Sequence, residues 1–394
     1  MDTLKLIGRS SLLFSQDLKK YEKTISTIVQ DSSFLILGGA GSIGQAVTKE
    51  IFKRNPKKIY VVDISENNLV ELVRDIRSSF GYIYGDFQSF ALDVGSWQFD
   101  AFLERNSDFD YVLNLTALKH VRSEKDPFTL MRMIETNVIN TLKTVKWSQN
   151  NVVKKYFAVS TDKAANPVNM MGASKRIMEL FLMREGKKIP ISTARFANVA
   201  FSDGSLLHSF NQRILKKQPI VAPNDIRRYF VTPEESGLIC LFSTIFGDNN
   251  DIFFPKLQQK HLQKFSDIAT RYLNELGLEP LIVNSESEAR EIALTGKNNR
   301  TWPCLFTISD TTGEKDFEEF FTENEKLDLA SFKDLGIVKS NLEFNESKLD
   351  TFLTIYNGFK SKNKCDKKNI LKLFKEILPD FEHEEKGKYL DAKM

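Results

Sequence analysis

The chain has 394 residues, 41% hydrophobic and 27% charged, with 19 Gly and 11 Pro. That is the composition of a soluble, folded chain with room for more than one domain, and it excludes disorder, collagen-like repeats and low-complexity scaffolding. Lys plus Arg is 55 against 52 Asp plus Glu, a net charge of +3, so no basic balance points to a nucleic-acid partner.

No apolar run is long enough to span a bilayer, and Met1–Ser10 lacks the layout of a secretion signal. Three scattered cysteines, Cys240, Cys304 and Cys365, form neither a disulfide framework nor a zinc site. A reducing cytoplasm is the expected compartment, with no membrane, nucleic-acid or metal partner. The 31 Phe carry no functional signal.

Leu18, Tyr21, Ile25 and Ile28 recur at helical spacing, which predicts an amphipathic helix within an N-terminal extension, 1–30. Phe34–Leu37 is a short apolar strand of the kind buried on both faces of a parallel sheet. Ile43, Val47 and Ile51 stripe the next helix, Ile59–Val62 is the second strand, and Leu69, Leu72, Val73 and Ile76 stripe another helix. Phe90–Leu92, Tyr111–Leu113 and Tyr156–Val159 continue the alternation. The fold class is therefore α/β, a doubly wound parallel sheet over 31–194. The pattern loosens in 195–325, expected to be a smaller substrate-binding region interleaved with the first. From 326 to 394 a Lys/Glu/Phe-rich, mainly helical extension is expected, with no chemistry of its own.

Gly38, Gly41 and Gly44 follow the first strand directly and open a helix. Two of them let the backbone turn and approach a pyrophosphate, and the third lets helix and strand pack closely. The helix start at Ser42 and Ile43 then offers free N–H groups to phosphates. Asp63 ends the second strand, where a carboxylate accepts hydrogen bonds from an adenosine ribose. It favours NAD over NADP, because it would repel a 2′-phosphate; Arg54 and Lys58 are the cations that would reverse this. Asp93, after the third strand, is a candidate to face the adenine.

Ser160-Thr161-Asp162-Lys163 follows the fifth strand at the carboxyl edge, where doubly wound sheets place ligands. Lys175 lies further on, within Met171-Gly172-Ala173-Ser174-Lys175. An acid, a base and a cation so close together suit proton transfer beside a nicotinamide. A helix cap and surface ion pair are the bland alternative.

These motifs resemble the extended short-chain dehydrogenase/reductase superfamily. Ser160–Pro167, Gly172–Arg176, Ala117–Val121, Arg195–Val199 and Arg228–Thr232 are similar to its nucleotide-sugar 4,6-dehydratase branch of the polysaccharide-biosynthesis type, over about residues 30–320. The whole chain, including the ending Gly387–Met394, is similar to dehydratases of legionaminic acid pathways acting on GDP- or UDP-linked N-acetylglucosamine. One position departs: the superfamily's Tyr-x-x-x-Lys has Met171 in place of tyrosine, a change shared by a sub-branch of these dehydratases. A thioether has no exchangeable proton, so Thr161, Asp162, Lys163 and Lys175 are the candidates for the proton of the 4-hydroxyl.

The resemblance implies Asp162 as the acid at the C6 hydroxyl and Lys163 as the base at C5. It implies Lys175 on the nicotinamide ribose, cofactor contacts that include Ala117, and a tightly bound NAD regenerated in each cycle. Lys119, His120, Arg195, Asn198 and Arg228 match positions facing the sugar nucleotide, and Asn137 a structural asparagine. Asp126–Gln149 and Gly172–Arg184 match the helices that pair subunits, so a homo-oligomer is expected. The competing readings are a nucleotide-sugar 4-epimerase, which needs no acid or base at C6 and C5, and a non-catalytic NAD-sensing protein, which Met171 would suit.

Overall fold

A computed structural model describes residues 1–295, 300–310, 314–339, 344–362, 366–383 and 385–387; Cys365 and the closing string from Lys388 lie outside the described residues. Among the described residues nine strands form one sheet. They are β1 (Ser33–Leu37), β2 (Lys58–Asp63), β3 (Asp86–Ala91), β4 (Tyr111–Asn114), β5 (Lys155–Thr161), β6 (Ile191–Phe196), β7 (Asp251–Pro255), β8 (Leu327–Asp328) and β9 (Leu335–Lys339). The spatial order is β8-β9-β7-β6-β5-β4-β1-β2-β3, parallel from β3 to β7, with β9 and β8 added antiparallel. The order reverses between β1 and β4, which is where such sheets open a crevice for a ligand.

The apolar runs work as expected for strands covered on both sides. In β1, Phe34 and Ile36 enter one core cluster with Val47, Ile51 and Phe253. Leu35 and Leu37 enter the other with Ile177, Phe181 and Phe352. Alternate side chains of one strand thus feed two cores. β3 differs from expectation: it runs Asp86–Ala91, earlier than Phe90–Leu92, and only Phe87 and Phe90 are half-buried, the rest being exposed. As the edge strand it needs no continuous apolar run.

After one helical turn at Thr3–Leu6, the expected N-terminal helix spans Ser15–Gln30. The 326–394 region is not only helical, because β8 and β9 return to the far edge of the main sheet before the helices Glu346–Ser361 and Lys367–Ile377. Those two helices pack on the helix Met170–Glu185, with Phe352 between Phe181 and Phe374. The Gly172–Arg184 surface expected to pair subunits is therefore covered by the chain's own C-terminal helices. A second, three-stranded parallel sheet of Glu279–Ile282, Thr301–Thr307 and Ile220–Pro223 forms the smaller region.

Candidate active site at the carboxyl edge of the sheet

A cleft of about 410 Å³ opens past the carboxyl ends of β1 to β4, lined by Gly38, Asp63, Asp93, Thr116 and Ala117 among others. Gly38 has φ +73°, and a Cβ there would meet the backbone of Leu115 and Thr116 at 2.8 Å; one on Gly44 would meet the Gly38 carbonyl oxygen at 2.2 Å. Both glycines are therefore demanded by the turn itself. Gly41 is not: its Cβ would meet only Gly38 O at 3.5 Å, an ordinary contact. Gly41 instead precedes the helix Ser42–Phe52, whose start at Ser42 and Ile43 no side chain caps. A bare helix start beside an open cradle fits a pyrophosphate.

The Asp63 carboxylate shapes this turn, accepting from Ala40 N–H at 3.0 Å and from Ser65 N–H at 2.9 Å. Each oxygen retains a lone pair for a ribose hydroxyl. Neither cation that would favour a 2′-phosphate stands by it. Arg54 is buried and paired with Glu22 and Glu50 at 2.7 and 2.8 Å, and Lys58 is paired with Asp108 at 2.6 Å.

Thr161 ends β5, and a short 3-10 turn, Asp162–Ala164, follows. Asp162 is 2% exposed. Its Oδ1 accepts from Thr161 Oγ1 at 2.8 Å, from Lys163 N at 2.9 Å and from Lys163 Nζ at 3.1 Å. Its Oδ2 is buried without a hydrogen-bond partner, which leaves that oxygen for a group from outside the chain. A Cβ on Gly172 would meet the Lys163 carbonyl oxygen at 2.4 Å, so this glycine lets the helix carrying Lys175 close onto the Asp162–Lys163 turn. Lys175 Nζ donates to Val159 O at 3.0 Å. Burial pushes its ammonium down to about 7 against the pull of Glu179. Met171 is buried in the core cluster beneath.

Further groups hold this arrangement. Asn137 accepts from Leu118 N at 3.0 Å and donates to Ser174 Oγ at 3.0 Å, joining the loop after β4 to the Lys175 helix through a π-turn. Buried Glu124 accepts from Met170 N at 2.8 Å and meets His383 Nε2 at 3.2 Å. The C-terminal extension thus reaches the start of the same helix. Lys119 and His120 lie on the exposed loop beyond Ala117, with Lys119 Nζ 3.5 Å from Ser202 Oγ. Asn198 Nδ2 donates to Tyr229 O at 3.3 Å.

Two arginines expected on the substrate are engaged elsewhere. Arg195 is 0% exposed, and its five N–H donors go to Glu179, Glu325 and Phe320 O. No donor is left for a diphosphate. Burial would raise the Glu179 carboxyl, but Arg195, then Arg176 and the Ser160 hydroxyl, hold it down to about 2. Arg228 is filled by a segment that follows the smaller sheet: it donates to Lys315 O and Asp316 O and pairs with Glu314 at 2.6 Å. Sequence reasoning missed Glu179, Glu325, Glu124 and Glu318, which share no motif spacing. Arg195→Met leaves buried Glu179 and Glu325 with only Arg176, at 3.1 and 3.3 Å, as their shared cation, at an expected cost of about 3 kcal/mol. Urea denaturation measures it; unchanged stability with weakened substrate affinity would return Arg195 to the substrate.

The family model described as polysaccharide biosynthesis protein matches residues 34–340. The chain is 30% identical over 362 residues to an uncharacterized membrane protein of Methanocaldococcus jannaschii, covering 90% of this chain and 98% of that one. It is 27% identical over 309 residues to a UDP-N-acetylglucosamine 4,6-dehydratase (inverting) of Campylobacter jejuni, covering 74% and 87%. A UDP-glucose 4-epimerase of Rickettsia rickettsii is 26% identical over 312 residues, covering 74% and 82%. Some relatives are longer: the chain spans 51% of the capsular polysaccharide biosynthesis protein CapD of Staphylococcus aureus.

Among solved structures, Pen from Bacillus thuringiensis shares the fold with a TM-score of 0.65 at 22% identity, covering 80% of this chain and 89% of that one. The Bordetella bronchiseptica enzyme WbmF, in complex with NAD+ and UDP, does so with a TM-score of 0.51 at 18% identity, covering 63% and 78%. Among the described residues no helix is long and apolar enough to cross a membrane. Matched from its first strand through the last strand of its sheet, the chain belongs to the polysaccharide biosynthesis protein family.

Proposed function

We propose that the chain is an NAD-dependent nucleotide-sugar 4,6-dehydratase, converting UDP- or GDP-linked N-acetylglucosamine to its 4-keto-6-deoxy derivative. The observation that carries this is the pair of buried Asp162 and partly exposed Lys163 beside Thr161 and Lys175. A 4-epimerase oxidises and reduces one carbon and has no use for an acid–base pair at C5 and C6; a sensor has use for neither. The sequence resemblance to legionaminic acid pathway dehydratases supports an N-acetylglucosamine substrate and favours GDP as its nucleotide, while the Campylobacter jejuni relative is named for the UDP sugar.

NAD, held at the glycine turn and Asp63, would supply the two-electron chemistry, oxidation at sugar C4 and reduction at C6. The chain's residues handle the protons. Thr161 takes the proton of the 4-hydroxyl while passing its own to Asp162, along the hydrogen bond it already donates. Asp162 gives that proton to the departing 6-hydroxyl, which leaves as water. Lys163 removes the C5 proton, acidified by the new ketone, and returns it after the hydride has arrived. Lys175 holds the nicotinamide ribose. Every proton is accounted for within the cycle.

The test is incubation of purified protein with UDP- and GDP-N-acetylglucosamine followed by mass analysis. Loss of one water supports dehydration; an unchanged mass with inverted C4 selects the epimerase, and an unaltered sugar the binding protein. Because the cycle regenerates its cofactor, protein purified without added dinucleotide should release NAD on denaturation. Release of NADP would overturn the role given to Asp63, and a strict need for added NAD would overturn tight binding.

A further inference from the structure

Residues 314–325 run across the catalytic turn and are pinned along their length. Lys315 Nζ donates to Asn166 O at 2.7 Å, Asn166 Nδ2 to Glu319 Oε2 at 2.8 Å, and Arg195 holds both Phe320 O and Glu325. This brings Glu318, 3% exposed, to Lys163: Oε1 lies 3.8 Å from Nζ, opposite the Asp162 contact at 3.1 Å. One lysine thus stands between two buried carboxylates. The other charges facing the pair are Arg228, on the short strand Arg227–Arg228, and Lys315.

A lysine between two carboxylates rests as the ammonium. Burial works to lower Lys163, but Asp162 and Glu318 outweigh it and raise it. An ammonium removes no proton from carbon, so the base must first shed one. Asp162 cannot take it, because in the proposed cycle it already carries the proton passed on by Thr161 and must deliver that one to the 6-hydroxyl. Glu318 is free of both duties.

We propose that Glu318 is a positioning residue for the C5 base, taking the proton that Lys163 sheds before it acts and returning it at the end of the cycle. The proposal rests on the role given to Lys163 above. The proton passes from Lys163 Nζ to Glu318 Oε1 after a small rotation of the carboxyl group. The ion pair becomes an amine and a carboxylic acid, with no change in the net charge of the site and no other reactant. Burial first, and then the Asp162 charge, raise the Glu318 carboxyl, while Lys163, Arg228 and Lys315 oppose them; the net effect favours a Glu318 that accepts a proton.

The experiment measures kcat against pH for the parent and for Glu318→Gln, whose amide cannot store the proton. The parent should be nearly flat from about pH 7 to about pH 9, because its proton stays within the site, whereas Glu318→Gln should fall at least about tenfold near neutrality and recover by about tenfold per pH unit as solvent strips Lys163. Glu318→Asp, which keeps a carboxyl on a shorter arm, should be slower than the parent but keep its flat profile, and this variant serves if Glu318→Gln does not fold. A pH-independent loss in Glu318→Gln, an unchanged profile, or a Glu318→Asp that follows the glutamine profile would overturn the proposal. If instead the parent removes no water, or Lys163→Ala still does, the role of Lys163 fails first and the proposal with it.

Discussion

Lys163→Ala should abolish water loss and leave the dinucleotide in place. The ammonium sits by Asp162 and Glu318 and does not line the cleft at the glycine turn proposed to hold the cofactor, so its removal acts on proton transfer and not on dinucleotide binding. Loss of a positioned acid or base costs about 10²–10⁴-fold. The substitution also leaves two buried carboxylates without a cation, so a melting measurement belongs beside the assay. Dinucleotide released on denaturation should match the parent. A variant within about threefold of the parent in kcat would remove Lys163 from the mechanism.

Thr161→Val should do far more damage to turnover than Met171→Ala. Valine keeps the shape of threonine and deletes the hydroxyl that donates to Asp162 Oδ1 at 2.8 Å, the path proposed for the 4-hydroxyl proton to the acid at C6. A loss in the range of about 10²–10⁴-fold follows. Met171 is 4% exposed in a core cluster and has no proton to move, so Met171→Ala costs packing, about 2–5 kcal/mol, and spares the chemistry at temperatures where the fold holds. The competing route is a water where a tyrosine hydroxyl would stand, activated by Lys175, whose ammonium burial brings down to about 7. Under that route Met171→Tyr is tolerated and Thr161→Val is mild. The three variants in one dehydration assay decide between them, and a near-silent Thr161→Val would end the relay.

Legibility in the sequence followed from what is local. The strand–glycine turn–helix unit, Asp63 at the end of β2 and the Thr161-Asp162-Lys163 turn are runs of a few residues whose chemistry and backbone demands are written in adjacent positions. They recur in the structure where a reader of the sequence would put them: Gly38 at positive φ, Asp63 on the turn's N–H groups, and Asp162 under Thr161 and Lys163. The edge strands were less visible. β3 is mostly exposed instead of running apolar, and β8 has two residues, too few for any periodicity.

Arg195 and Arg228 mark the limit. As isolated residues in motifs each suits a diphosphate, because a guanidinium fork looks the same whatever faces it. Only the fold brings Glu179 from a helix and Glu325 from far along the chain against Arg195, and the segment 314–316 against Arg228. The same long-range closure carries Glu318 to Lys163 and lays the C-terminal helices over the Lys175 helix. The sequence by itself determined the sheet class, the glycine turn and the placing of Asp162 beside Lys163, since hydrophobic period, glycine geometry and neighbouring side chains act within a few residues. The tertiary structure alone decided which charges are free, which are neutralised and which carboxylate stands opposite the base, because partners distant in the chain meet only when the core that carries them has closed.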